Sequence, residues 1–132
     1  MSSKLRNTLL AAIALVLGAI AVASPAKAGC NGVNCWGAVV TNPNSSAYGY
    51  TYNYPSGRSA INGARANCPG NCRIYVSFRN SCGAIAVGRN GVYGWARNKS
   101  RKWAKFFALR NCSKYGFGCK LRVWGCTRYS HR

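Results

Sequence analysis

The chain has 132 residues, 19 Lys plus Arg, no Asp, no Glu and one His. An ordinary domain carries about a quarter charged residues of both signs, so this composition excludes a carboxylate pair for glycoside hydrolysis, a Ser-His-Asp triad and an acidic cage for calcium or magnesium. It also excludes internal side-chain ion pairs, save with the C-terminal carboxylate.

Lys4 and Arg6 give a positive start, Leu9 to Ala23 is an apolar run, and Ser24-Pro25 ends it. Ala26-Lys27-Ala28 places small residues where a signal peptidase reads, so residues 1–28 are expected to be a secretory signal peptide cut before Gly29. The run is short for a membrane span of roughly 20 residues. Three of the 19 cations precede Gly29, so the expected mature chain, 29–132, carries 16 positive charges and all eight cysteines. That length suits one small domain, in the periplasm or outside the cell.

The first apolar stretch, Ala38 to Val40, predicts a strand, and Asn42-Pro43-Asn44-Ser45 a turn. Tyr48, Tyr50, Tyr52 and Tyr54 alternate with Gly49, Thr51 and Asn53, which predicts a second strand with four rings on one face. Those rings either stack bases or sugars or pack beneath a helix with their hydroxyls at the rim. A helix follows, with Ser56 as N-cap and Ala60, Ala64 and Cys68 on one face. Cys72 to Phe78 predicts a third strand. The order then recurs: strand Ala84 to Val87, turn Gly88 to Gly91, aromatic strand with Tyr93 and Trp95, helix from Ser100 with Ala104, Ala108 and Cys112, and strand Cys119 to Trp124.

The recurrence reads as an internal repeat. Ser56, Ala60, Ala64, Asn67 and Cys68 coincide with Ser100, Ala104, Ala108, Asn111 and Cys112 at a shift of 44 residues. Gly37-Ala38-Val39 matches Gly83-Ala84-Ile85, and Cys72-Arg73-Ile74-x-Val76 matches Cys119-Lys120-Leu121-x-Val123. Repeats over about 36–78 and 82–126 predict an α+β domain. Its plan is a duplicated strand-strand-helix-strand unit, with an antiparallel sheet and two helices on one side.

The eight cysteines, Cys30, Cys35, Cys68, Cys72, Cys82, Cys112, Cys119 and Cys126, are even in number, and the chain is expected to be exported. Four disulfides are the expectation. Zinc is the alternative, but the Cys68-x3-Cys72 and Cys112-x6-Cys119 spacings are not those of a zinc ribbon, and no His lies near. No metal and no cofactor is expected.

The Gly-Ala-aliphatic strands, the Ala-x3-Ala-x3-Cys helices, Asn80 to Ala86, Gly94-Trp95 and Val123-Trp124-Gly125-Cys126 resemble a family of small exported bacterial proteins, the domain of unknown function 4189. The resemblance covers roughly Trp36 to Cys126. It implies an exported domain and brings no catalytic residues. Many relatives carry acidic and Gln residues in helices where this chain has Arg, Lys and Asn. On the repeat plan the cysteines pair as 68–72 and 112–119 across equivalent turns, 82–126 between strands, and 30–35.

The second helix interleaves Lys99, Arg101, Lys102, Lys105 and Arg110 with Trp103, Phe106, Phe107 and Leu109. It reads either as a basic, aromatic face for an anionic membrane or polymer, or as a core-facing helix with a basic outer side. His131 is the only imidazole, with no second tuned group for acid–base work, and no serine has a base to activate it. Sixteen unpartnered cations must lie in water or meet external anions. The expectation is a secreted, cationic, non-enzymatic protein that binds anionic envelope polymers or lipids, in an antimicrobial-like manner or as a coat. The alternatives are an interaction or inhibitor domain for an acidic protein, and an extracellular nucleic-acid-binding protein.

Overall fold

A computed structural model describes Cys30 and residues 34–128. The leader read over residues 1–28, and His131, lie outside the described residues. The first unit contains β1 (Trp36–Thr41), β2 (Tyr48–Tyr54), α1 (Gly57–Ala66) and β3 (Ile74–Arg79). The second contains β4 (Cys82–Val87), a 3-10 turn at Arg89–Gly91, β5 (Tyr93–Asn98), α2 (Arg101–Ser113) and β6 (Lys120–Cys126).

The fold is α+β, with antiparallel pairing throughout. The sheet itself differs from the expectation of one sheet with both helices on one side. Each unit builds its own three-stranded sheet, in the orders β2-β1-β3 and β5-β4-β6. The two sheets pack face to face, and each helix covers the outer side of its own sheet.

The reason lies in the central strands. In β1, Ala38 and Val40 pack with Ala60 and Ala64 of α1. Val39 points the other way and meets Val76, Phe78, Ile85, Val87 and Val123. In β4, Ala84 and Ala86 face Ala104 and Ala108 of α2, while Ile85 and Val87 enter the inter-sheet cluster. Small residues thus meet the helix and larger branched ones meet the other sheet. A strand buried on both faces reads as a continuous apolar run.

Both helices begin as expected, since the hydroxyls of Ser56 and Ser100 accept from the amides of Ser59 and Trp103 at 3.1 and 3.4 Å. The alanine stripes let the helices settle close to the edge strands. A Cβ on Gly49 would collide with the carbonyl of Ala64, and one on Gly94 with the backbone of Ala108 and Cys112. The repeated asparagines act at the same place in each unit. Asn67 donates to the Tyr50 carbonyl at 3.4 Å and Asn111 to the Trp95 carbonyl at 2.9 Å.

Phe78 fills the centre of the inter-sheet layer. A Cβ on Gly37 or on Gly83 would overlap its ring, and one on Gly125 would sit 3.5 Å from it. Only Asn80 and Ser81 lie between β3 of the first sheet and β4 of the second. Asn80 adopts φ 48°, a conformation that asparagine tolerates. Its amide donates to the Cys35 carbonyl at 2.8 Å, and its side-chain oxygen accepts from the Cys35 amide at 2.9 Å.

Four disulfides join Cys30 to Cys35, Cys68 to Cys72, Cys82 to Cys126 and Cys112 to Cys119, as the repeat plan anticipates, and no cysteine is free. Two of them close the helix-to-strand turn of each unit. The 82–126 bridge links facing residues of β4 and β6.

Candidate anion-binding face

The cations are divided unequally between two units of the same plan. Residues 36–78 hold three Lys or Arg, and residues 82–126 hold ten. The surplus gathers on and around α2.

Along α2, the alanine stripe and Cys112 turn inward. The opposite side presents Lys102, Trp103, Phe106 and Arg110 to solvent. Trp103 and Phe106 are 45% and 48% exposed. Their rings meet edge-on at 5.6 Å between centroids, and Phe107 joins both at 5.9 and 5.5 Å. Lys102 lies over Trp103 at 5.5 Å. Phe107 and Leu109 are half-buried and pack on the core beneath the helix. The helix thus packs its inner face on the core and turns a basic, aromatic face outward. Lys99, just ahead of α2, is also exposed.

Arg101 and Lys105 turn toward the flank of the helix, where Trp124 of β6 is partly exposed. The Lys105 ammonium sits 3.9 Å from the Trp124 ring centroid and the Arg101 guanidinium 5.4 Å. Cation–π contacts of this kind hold a charged group in place without neutralising it. Nothing local in the sequence marks Trp124 as their partner, because it arrives from another strand.

The tyrosine ladder holds for three of its four rings. Tyr48, Tyr50 and Tyr52 share one face of β2, about half exposed, on the side facing the second sheet rather than beneath α1. Tyr54 leaves the ladder. Asn53 adopts φ 61° and the β1–β2 register shifts between Trp36 and Ala38. This bulge turns Tyr54 to the α1 side, where it packs against the cluster of Ala38, Val40, Ala60 and Ala64. An extra residue in one strand reverses the alternation.

Because the sheets face each other, β2 of the first borders β6 of the second. There a cleft of about 430 Å³ is lined by Tyr50, Tyr52, Arg101, Trp124, Gly125 and Cys126. Two larger clefts run along the edge strands. One of about 980 Å³ includes Tyr93, Trp95, Phe107 and Tyr115, and one of about 1050 Å³ includes Tyr48, Tyr50, Tyr54 and Asn67. Arg122 is used within the fold instead. Its guanidinium donates to the hydroxyl of Thr41 at 3.2 Å, the carbonyl of Asn42 at 3.3 Å and the carbonyl of Ser45. It thereby ties β6 to the β1–β2 turn.

These features define a disulfide-stapled α+β domain of two packed units, one of them strongly cationic. The chain belongs to the DUF4189 family, a domain of unknown function, which it matches over residues 36–126. No curated protein matches it. Among solved structures it is similar to the NMR structure of Rv1813c from Mycobacterium tuberculosis, with a TM-score of 0.53 and 22% identity over 70% of this chain and 74% of that one. At that identity the likeness is one of fold. Disulfides persist in oxidising compartments, and among the described residues no helix is long and apolar enough to cross a membrane.

Proposed function

We propose that the protein is exported through the leader at residues 1–28 and acts without catalysis, by binding anionic lipid or polymer surfaces of the cell envelope through the outer face of α2. The observation that carries this reading is the pair of exposed rings, Trp103 and Phe106, set among Lys99, Arg101, Lys102 and Arg110 in a chain with no acidic side chain. Exposed aromatic rings suit the boundary between headgroups and acyl chains, and the surrounding cations suit anionic headgroups. Arginine outnumbers lysine twelve to seven in the chain, which favours bidentate contact with phosphate.

The test is co-sedimentation of the oxidised protein with neutral and with anionic vesicles as salt is raised. Retention on anionic vesicles should fall steeply with salt, since it rests on screened charge. The Lys99→Gln, Arg101→Gln, Lys102→Gln, Lys105→Gln variant should bind less and with a shallower salt dependence. Equal affinity for neutral and anionic vesicles at every salt concentration would remove the electrostatic basis of the proposal. Preference for duplex DNA over both vesicle types would move the function to nucleic acid.

A further inference from the structure

The cleft between the units joins residues that neither unit supplies alone. Tyr50 and Tyr52 come from the edge of the first sheet, Trp124, Gly125 and Cys126 from the edge of the second, and Arg101 from the first turn of α2. The two tyrosine rings are nearly parallel, 9° apart with centroids at 6.3 Å, and both are half exposed. On the other wall, Trp124 carries Arg101 and Lys105 against its ring. The cleft thus offers aromatic faces, phenolic hydroxyls and one lining cation, Arg101, with Lys105 held nearby on the Trp124 ring and no carboxylate beside them.

Each feature selects part of a ligand. The tyrosine rings suit a flat group with an apolar face, and their hydroxyls can donate to or accept from a polar rim. A pyranose ring has both, with C–H groups on its face and hydroxyls at its edge. Arg101 suits a phosphate, which it can hold through two parallel N–H donors. Resting Arg101 on Trp124 limits the freedom it loses on binding, which favours affinity. A volume of about 430 Å³ lies within the usual range for small-molecule sites, about 300–1,000 Å³. A nucleotide offers the same phosphate and a base that the tyrosines could stack, but the hydroxyl-rich edge of a hexose makes fuller use of the two phenolic groups.

The geometry points to a binding site for a phosphorylated hexose, as borne by a lipid headgroup or an envelope polymer, in the cleft formed by Tyr50, Tyr52, Trp124 and Arg101. This rests on the reading of an envelope-binding protein and names the chemical group it meets there. The site is composite, so it requires both units and the packing between their sheets.

The experiment is a heteronuclear NMR titration of the full oxidised protein with glucose 6-phosphate. Glucose, glycerol 3-phosphate and adenosine monophosphate are run in parallel. Glucose 6-phosphate should shift the Trp124 indole N–H and the Gly125 and Cys126 amides, with a Kd at least about tenfold below those of glucose and glycerol 3-phosphate. The Tyr50→Ala, Tyr52→Ala variant should lose that advantage over glycerol 3-phosphate. Tyr52→Leu, which keeps apolar bulk without a ring, should lose part of it and serves if the double variant does not fold. Arg101→Gln should weaken both phosphates. Equal affinity for glycerol 3-phosphate and glucose 6-phosphate, tighter binding of adenosine monophosphate, or shifts confined to other parts of the protein would overturn the proposal. Failure of the surface reading appears separately, as equal binding of the wild-type protein to neutral and anionic vesicles.

Discussion

Replacing Phe78 by alanine should cost more than most single changes in this chain, and the surrounding glycines determine why. The ring is 1% exposed and lies between the two sheets. Its neighbours include Gly37, Gly83 and Gly125, none of which has a side chain that can swing into the space left behind. Phe→Ala substitutions in cores cost about 3–5 kcal/mol, depending on how far the site collapses, and here collapse is obstructed. A small domain has about 5–15 kcal/mol of stability in total, so about a fifth or more should be lost. Denaturant unfolding with the disulfides intact, followed by circular dichroism, would measure it. At about 4–8 °C per kcal/mol for a domain of this size, the melting temperature should fall by more than about 12 °C. A second substitution sharpens the test. Gly83→Ala places a Cβ inside the Phe78 ring and should destabilise the wild type by about 1–3 kcal/mol. In the Phe78→Ala background the same methyl enters vacated space, so its cost should vanish or change sign. A Phe78→Ala loss below about 1 kcal/mol, or an equal Gly83→Ala cost in both backgrounds, would refute the packing argument.

Gly94→Ala should push α2 away from β5, because the new Cβ meets backbone rather than a flexible side chain; a loss of about 1–3 kcal/mol is expected in the same unfolding assay. The oxidised protein should take up no alkylating reagent when denatured without reductant, as read by intact mass, and replacing Cys82 and Cys126 by alanine should cost about 2–5 kcal/mol. Acid should do little. Acid unfolding reflects native carboxylates with depressed pKa values, whose stabilisation is present at neutral pH and lost as pH falls. With no Asp or Glu in the chain, stability at constant ionic strength should be nearly flat from pH 7 to about pH 2.5, and a cooperative transition near pH 4 would contradict this.

Features fixed by neighbouring residues were the most legible in the sequence. Ser56 and Ser100 cap helices that carry alanine stripes, and the bridges across the helix-to-strand turns join cysteines four and seven residues apart. What escaped depends on distant partners. Ala38-Val39-Val40 and Ala84-Ile85-Ala86 announce strands buried on both faces, yet periodicity does not say what covers each face. One sheet flanked by helices and two sheets packed together require the same run. A single left-handed residue, Asn53, turns Tyr54 to the other face; asparagine is the local signal for it, and strict alternation conceals it. The basic helix was visible as a composition. Trp124, which orders Arg101 and Lys105, lies on β6 and meets them only when the second unit closes, as does the cleft it shares with Tyr50 and Tyr52.

The two asparagines that reach from the helix ends to the Tyr50 and Trp95 carbonyls have a consequence for how copies of this protein behave toward one another. An edge strand is a template for another strand, since its outward carbonyls and amides await partners. In β2 and β5 one outward carbonyl is already occupied by a side-chain amide of the protein's own helix, and the helix backbone sits hard against Gly49 and Gly94. A strand from a second molecule would have to displace that amide and clear the helix before its ladder could propagate. Each unit therefore seals one edge of its own sheet, which opposes indefinite growth of the sheet from β2 or β5.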